Sequence, residues 1–238
     1  MKIKSIWLRQ IHKWVGLAIG LQFLLWTISG AAMALLDMET VAGGPQPEAF
    51  QSALSGEAIG WPRIVAQLDT ARIEGLRLRT LLDRPVVEVR TARSTRIFDA
   101  RTGDPVRITA PAARAVAQAA HPDGARPVSV ASLTETSVPV RGHEPPIWQV
   151  EFADGESSTY YVSATTGALL ERRNDTWRWW DFFWMLHNMD YADRTSFNHP
   201  LIITAGIAMA WLAVTGFWLL FRTMWRHDLT WVRRRRRT

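Results

Sequence analysis

Two long stretches without a charge, one near each end of the 238-residue chain, constrain it more than any other feature. From Trp14 to Leu36 the sequence reads WVGLAIGLQFLLWTISGAAMALL, 23 residues of which Gln22 is the most polar. From Pro200 to Phe221, PLIITAGIAMAWLAVTGFWLLF supplies 22 more. At 1.5 Å per helical residue these span about 34 and 33 Å, against a bilayer core of roughly 30 Å. Two transmembrane helices are expected, over 14–36 and 199–225. A cleaved signal peptide is the alternative for the first, because a basic start precedes it. Its apolar run exceeds the usual ~7–15 residues, and no clean A-x-A site follows.

The charges obey the same division. Residues 1–13 carry +4 and residues 222–238 carry +6, whereas residues 37–176 hold 15 arginines against 18 acids. The positive-inside rule then puts both termini in the cytoplasm and the middle of the chain in the periplasm, across a bacterial inner membrane. A nucleic-acid binder should carry its basic stripe on the folded domain. Here the basic runs flank the apolar helices, so membrane lipid is the expected partner of Arg233–Arg237 and nucleic acid is not. Eleven of the thirteen tryptophans lie in 1–36 or 177–238. The expected layout is a basic tail (1–13), helix (14–36), linker (37–60), central domain (61–176), interfacial aromatic helix and turn (177–198), helix (199–225) and basic tail (226–238).

Within the central domain one pattern occurs twice, over 61–107 and 108–176. WPRIVAQLDTAR precedes PVVEVRT, RIFDA and the turn RTGDPV; APAARAVAQAAH precedes IWQVEFADG, STYYVSA and the turn TTGALLERR. Each copy reads as a helix followed by two alternating strands. Val87 and Val89 set against Glu88 and Arg90 imply an antiparallel sheet with one wet face. The T-G glycine supplies a positive φ. The fold class is therefore membrane α plus α+β, with a duplicated helix-and-antiparallel-sheet domain between two transmembrane helices.

The repeat ending in Asp99-Ala100-Arg101-Thr102-Gly103 resembles the PepSY module. The flanking segments IHKWVGLAIGLQFLLWTISG and LHNMDY…FNHPLIITAGIAMAWLAVTGFWL look like PepSY-associated transmembrane helices, most specifically at His-x-Trp-x-Gly and V-T-G-F-W-L. The resemblance covers nearly the whole chain. It implies relatedness to inner-membrane ferric-siderophore reductases, which hold b-type haem between helix histidines, and to small two-helix proteins that promote ferrous iron uptake.

Four of the six histidines lie in or beside the membrane segments. His12 shares a helix face with Gly16 and Gly20, which leave a groove for a flat macrocycle or for a second helix. His199 precedes Pro200, and the series His199, Gly206, Ala213, Leu220, His227 recurs every seven residues. Those two histidines are roughly 42 Å apart and cannot share an iron. His227, among Arg222, Arg226 and Asp228, also reads as a solvated residue. His187 sits in TWRWWDFFWMLHNMDY, too short and polar to span, and reads as part of an interfacial helix with Trp180, Trp184 and Tyr191 on one face. An aromatic stripe also serves burial or anchoring. His121 and His143, in HPDG and HEPP, read as exposed loop residues.

With no cysteine, iron–sulfur clusters and c-type haem attachment are excluded. With no G-x-G-x-x-G, a flavin or NAD(P)H donor belongs to a cytoplasmic partner. The expectation is a haem b protein that carries electrons outward to ferric iron or a ferric siderophore. Its iron ligands would be His12, paired with His227 or a second copy's His12, and His187 with His199. Two helices enclose little, and Gly16 and Gly20 favour close packing, so a homodimer is expected. Enzymatic ferric reduction is left open beside the rival reading, a non-catalytic PepSY regulator or accessory subunit of a transporter or oxidoreductase.

Overall fold

The computed structural model describes residues 5–44, 59–68, 72–192 and 194–235, with side chains over 6–222. Most of the expected linker and the arginines of the C-terminal run fall outside the residues or side chains described. The chain forms two compact units, residues 36–180 and residues 1–35 with 181–238.

The second of these is helical. α1 (Ser5–Leu35) and α6 (Pro200–Arg235) each contain a stretch long and apolar enough to cross a membrane, Ile6–Leu35 and Pro200–Arg222. Both helices run past the uncharged segments, because Lys, Arg and Gln propagate a helix as readily as leucine does. They pack along one stripe each: His12, Gly16, Gln22, Trp26 and Ser29 on α1, and Ala205, Leu212, Thr215 and Gly216 on α6. The opposite faces are apolar and open, with Leu17, Leu21, Ile207, Val214 and Phe217 all exposed. The heptad series of α6 lies on that open side: Gly206 and Ala213 are exposed and Leu220 is 52% exposed. Thr215 and Gly216 instead meet His12 of α1.

The central unit contains α2 (Met38–Val41), α3 (Trp61–Ala66), β1 (Ile73–Leu81), β2 (Arg84–Thr91), β3 (Thr95–Asp99), α4 (Ala110–Ala120), β4 (Pro127–Leu133), β5 (Ile147–Phe152), β6 (Thr159–Ser163) and β7 (Leu169–Arg173). Two antiparallel sheets result, ordered β1-β2-β3 and β4-β5-β6-β7. Each repeat thus has an edge strand that the sequence reading lacks, β1 and β4, and the segment read as a closing turn continues into β7. As edge strands β1 and β4 bury little: Leu76, Leu78 and Val128 alternate with polar neighbours yet are exposed.

The expectation of one wet sheet face is corrected. Val87, Val89 and Phe98 pack beneath Ile64 and Leu68 of the α3 segment. On the other face Val86 and Ile97 join Ala113 and Ala117 of α4 and Val150, Phe152, Tyr160 and Val162 of the second sheet. Glu88 is accommodated there because Arg79 meets it at 3.2 Å. Each fully buried Val or Phe contributes roughly 1.5–3 kcal/mol.

The repeats match most closely at their turns. Asp99 Oδ1 accepts the N–H groups of Arg101 (2.9 Å) and Thr102 (3.0 Å), and Gly103 N–H reaches Asp99 O at 2.9 Å. Ser163 Oγ accepts from Thr165 (3.3 Å) and Thr166 (3.1 Å), while Gly167 N–H reaches Ser163 O at 2.8 Å. Gly103 and Gly167 have φ of +73° and +72°. A Cβ on Gly103 would lie 2.5 Å from Gly60 O, and one on Gly167 would lie 2.9 Å from both Leu81 and Ile108. Both glycines are required by conformation and by space.

His121 and His143 are not the free loop residues expected. His121 is 7% exposed and lies against the rings of Phe152 and Tyr160. Its Nε2 meets Asp154 Oδ2 at 3.1 Å and its Nδ1 accepts Asp123 N–H at 3.2 Å, so both ring nitrogens are used. Burial pushes the Asp154 carboxyl up, but hydrogen bonds from Ser158, His121 and Glu156 outweigh it and bring the pKa from 3.8 to about 2. His143 Nε2 meets Glu171 Oε1 at 2.9 Å, and Glu171 also pairs with Arg173.

Candidate functional site

The helical unit holds two histidine stations. His12, on α1, points its Nδ1 at Thr215 Oγ1 of α6, 2.8 Å away. Thr215 spends its single hydroxyl proton on its own helix, on Trp211 O at 2.8 Å, with Leu212 O at 3.2 Å. With that proton on the helix carbonyl, the threonine oxygen faces His12 Nδ1 as an acceptor. Nε2 is left bare, without a partner among the described residues.

The second station repeats the first with other elements. α5 (Asp175–Asn188) begins in the central unit and ends in the helical one. Near its end His187 places Nδ1 3.2 Å from Ser29 Oγ of α1. Ser29 is buried and donates to Leu25 O at 2.7 Å, with Trp26 O at 3.3 Å. The serine oxygen faces His187 Nδ1 in the same way, and Nε2 again has no partner among the described residues. A tryptophan lies beside each ring: His12 with Trp211 and His187 with Trp26 both have centroids 6.3 Å apart and planes at 39°. A glycine lies beneath each: a Cβ at Gly216 would be 3.4 Å from His12 Cε1, and one at Gly30 3.3 Å from His187 Cε1. Any larger residue would push the imidazole away.

Seventeen residues of α1 separate His12 from Ser29, about 26 Å of rise, so the stations lie near opposite ends of the helix. Between them, on the same stripe of α1, Gln22 Nε2 and Trp26 Nε1 are buried donors without a partner among the described residues.

The other sequence candidates sit elsewhere. His199 Nε2 lies 2.7 Å from Asn188 O. A carbonyl only accepts, so His199 donates and caps the last turn of α5. The helix stops there, with Met189 at φ +58°, a left-handed residue of the kind that ends helices. Tyr191 consequently lies beyond the helix and does not extend the stripe of Trp180, Trp184 and His187; Trp184 packs edge-on against Phe197 instead. Asp181, 2% exposed, is paired by Arg194. Gly16 faces Leu212 of α6, whereas a Cβ on Gly20 would meet open space. The side chain of His227 is outside those described, but the helical rise carries residue 227 about 18 Å beyond Thr215.

Ser29, Gly30, Thr215 and Gly216 are the residues that sequence reasoning missed. Their signal was present: W-x-x-S-G at 26–30 and W-x-x-x-T-G at 211–216, each within an apolar helix.

The architecture defines a membrane protein, two apolar helices flanking an α+β unit, with paired imidazole stations in its helical part. Residues 9–238 match the family described as the PepSY-associated TM region, and the chain belongs to it. No curated protein and no solved structure matches the chain.

Proposed function

We propose that this chain is a haem-binding electron carrier of the bacterial inner membrane. Both termini would face the cytoplasm and the central unit the periplasm, where ferric iron or a ferric siderophore accepts electrons. The observation that supports this most is the twin stations: two imidazoles near opposite ends of one membrane helix, each with Nδ1 hydrogen-bonded and Nε2 free.

The donor set fits b-type haem to the extent of one axial ligand per station, His12 at one and His187 at the other. Iron held between two imidazoles is coordinatively full and exchanges single electrons. Gly216 and Gly30 let the imidazoles lie close to the helix. The second ligands would come from a second copy of the chain. His227 is too far along α6 to join His12, and His199 already donates its Nε2 proton to Asn188 O. A cytoplasmic flavin or NAD(P)H protein would supply the electrons.

The test is the absorption spectrum of the detergent-purified protein, oxidised and then dithionite-reduced, with haem counted per chain. A sharp six-coordinate b-type spectrum is expected, lost at one station in His12→Ala and at the other in His187→Ala. A colourless protein from haem-replete cells would overturn the reading and leave a PepSY regulator or accessory subunit.

A further inference from the structure

The two stations are one device built twice from different parts of the chain. At one, α6 supplies the hydroxyl and α1 the histidine; at the other, α1 supplies the hydroxyl and α5 the histidine. In both, a serine or threonine stands immediately before the glycine that touches the imidazole. In both, a tryptophan three or four residues earlier flanks the ring with the same separation and tilt.

The chemistry lies in where the hydroxyl proton goes. A serine or threonine in a helix can hydrogen-bond its own i−4 carbonyl, and here Ser29 and Thr215 do so at 2.7 and 2.8 Å. That carbonyl can take a proton but never give one. With its proton there, the hydroxyl oxygen presents lone pairs to the imidazole, an arrangement that favours hydrogen on Nδ1. One tautomer is favoured. In it Nε2 has a free lone pair, the state in which a neutral imidazole binds a metal.

We infer that Thr215 and Ser29 are positioning residues that lock His12 and His187 in the Nδ1–H tautomer and so make Nε2 the ligating atom at each station. The identity of the metal group rests on the haem reading; the tautomer assignment does not. Removing such a supporting partner typically weakens metal binding about 10–100-fold.

The experiment uses the full chain in lipid nanodiscs, with 15N-labelled histidine, both free of haem and loaded with it. Wild type, Thr215→Val, Thr215→Ser, Ser29→Ala and Ser29→Thr are compared. Imidazole 15N shifts of the haem-free protein should report the Nδ1–H form at His12 and His187. Valine at 215 or alanine at 29 should release the corresponding histidine to a tautomer mixture and weaken haem retention at that station about 10–100-fold. The hydroxyl-retaining variants Thr215→Ser and Ser29→Thr should restore both, which separates positioning from a general packing defect. Unchanged tautomers in Thr215→Val and Ser29→Ala overturn the inference. If wild type binds no haem yet its tautomers are fixed and released as stated, the positioning role stands and the haem reading falls. If wild type binds haem and the valine and alanine variants leave shifts and retention alone, the haem reading stands and the positioning role falls.

Discussion

The histidines of the central unit and those of the helical unit differ in how completely their hydrogen bonding is used. His121 gives one ring nitrogen to Asp154 and the other to Asp123 N–H, beneath two aromatic rings. It has no capacity left, and it is a structural residue despite its buried, acid-paired setting. His12 and His187 are each held by one nitrogen only. A half-satisfied imidazole, fixed in direction on an apolar helix, is what a ligand site requires. Burial and proximity to a carboxylate single out His121; what sets His12 and His187 apart among the described residues is an Nδ1 held by a hydroxyl with no partner at Nε2, whereas His143 and His199 each use Nε2.

That contrast can be broken by mutation. The largest effect expected is complete loss of haem at one station in His12→Ala or His187→Ala, read by absorbance per chain, with little change in thermal unfolding of the central unit. His121→Ala should behave oppositely. It removes a buried ring and leaves Asp154 without one of its donors, so a loss of about 2–4 kcal/mol is expected in denaturant titration, with haem per folded chain unchanged. Loss of haem in His121→Ala together with retention in His12→Ala would reverse the assignment of roles.

Glycine substitutions sharpen the comparison within the central unit. Gly103→Ala forces an L side chain to φ +73° and into Gly60 O, and a loss of about 3 kcal/mol follows. Gly124 also has a positive φ, +61°, but faces open space. Gly124→Ala should cost only about 1 kcal/mol. Equal effects at the two positions would show that conformation alone, without the close approach, sets the penalty.

The smallest effect is one of pH. The folded-state pKa of Asp154 is depressed, from 3.8 to about 2. Its contribution is therefore complete above the unfolded value and disappears as pH falls from about 4 through about 2. Asp154→Asn should flatten the pH dependence of unfolding in that window, read by denaturant titration across it.

The sequence carried the fold where patterns were long or repeated. The uncharged runs at 14–36 and 200–221, the paired helix-and-strand pattern and the T-G turns were all legible, since each rests on many residues or on a glycine with a single conformational use. β1 and β4 were not read, although Leu76-Arg77-Leu78-Arg79 and Val128-Ser129-Val130 alternate as strands do, because the repeat was matched from its helix and its T-G turn. The site was legible by half. Histidine is conspicuous in a membrane segment, so His12 and His187 drew notice. Their hydroxyl partners are 203 and 158 residues away in the chain, and serine and threonine are ordinary in apolar helices. Periodicity misled at His199, Gly206 and Leu220: a seven-residue spacing identifies a helix side but does not say whether that side meets α1 or lipid.

One feature of α6 bears on how the protein meets the bilayer. Its 36 residues form one continuous helix to Arg235, whereas its uncharged run ends at Phe221. Eleven further residues of rise place position 233 about 17 Å past Arg222. Electrostatic attraction to headgroups decays over roughly 8 Å in physiological salt. A straight helix standing along the membrane normal would hold its terminal arginines two screening lengths out of reach. Anchoring by the tail therefore demands that the last three turns lean over onto the surface, and the choice between lean and upright makes the end of α6 a gauge of the lipid charge beneath it.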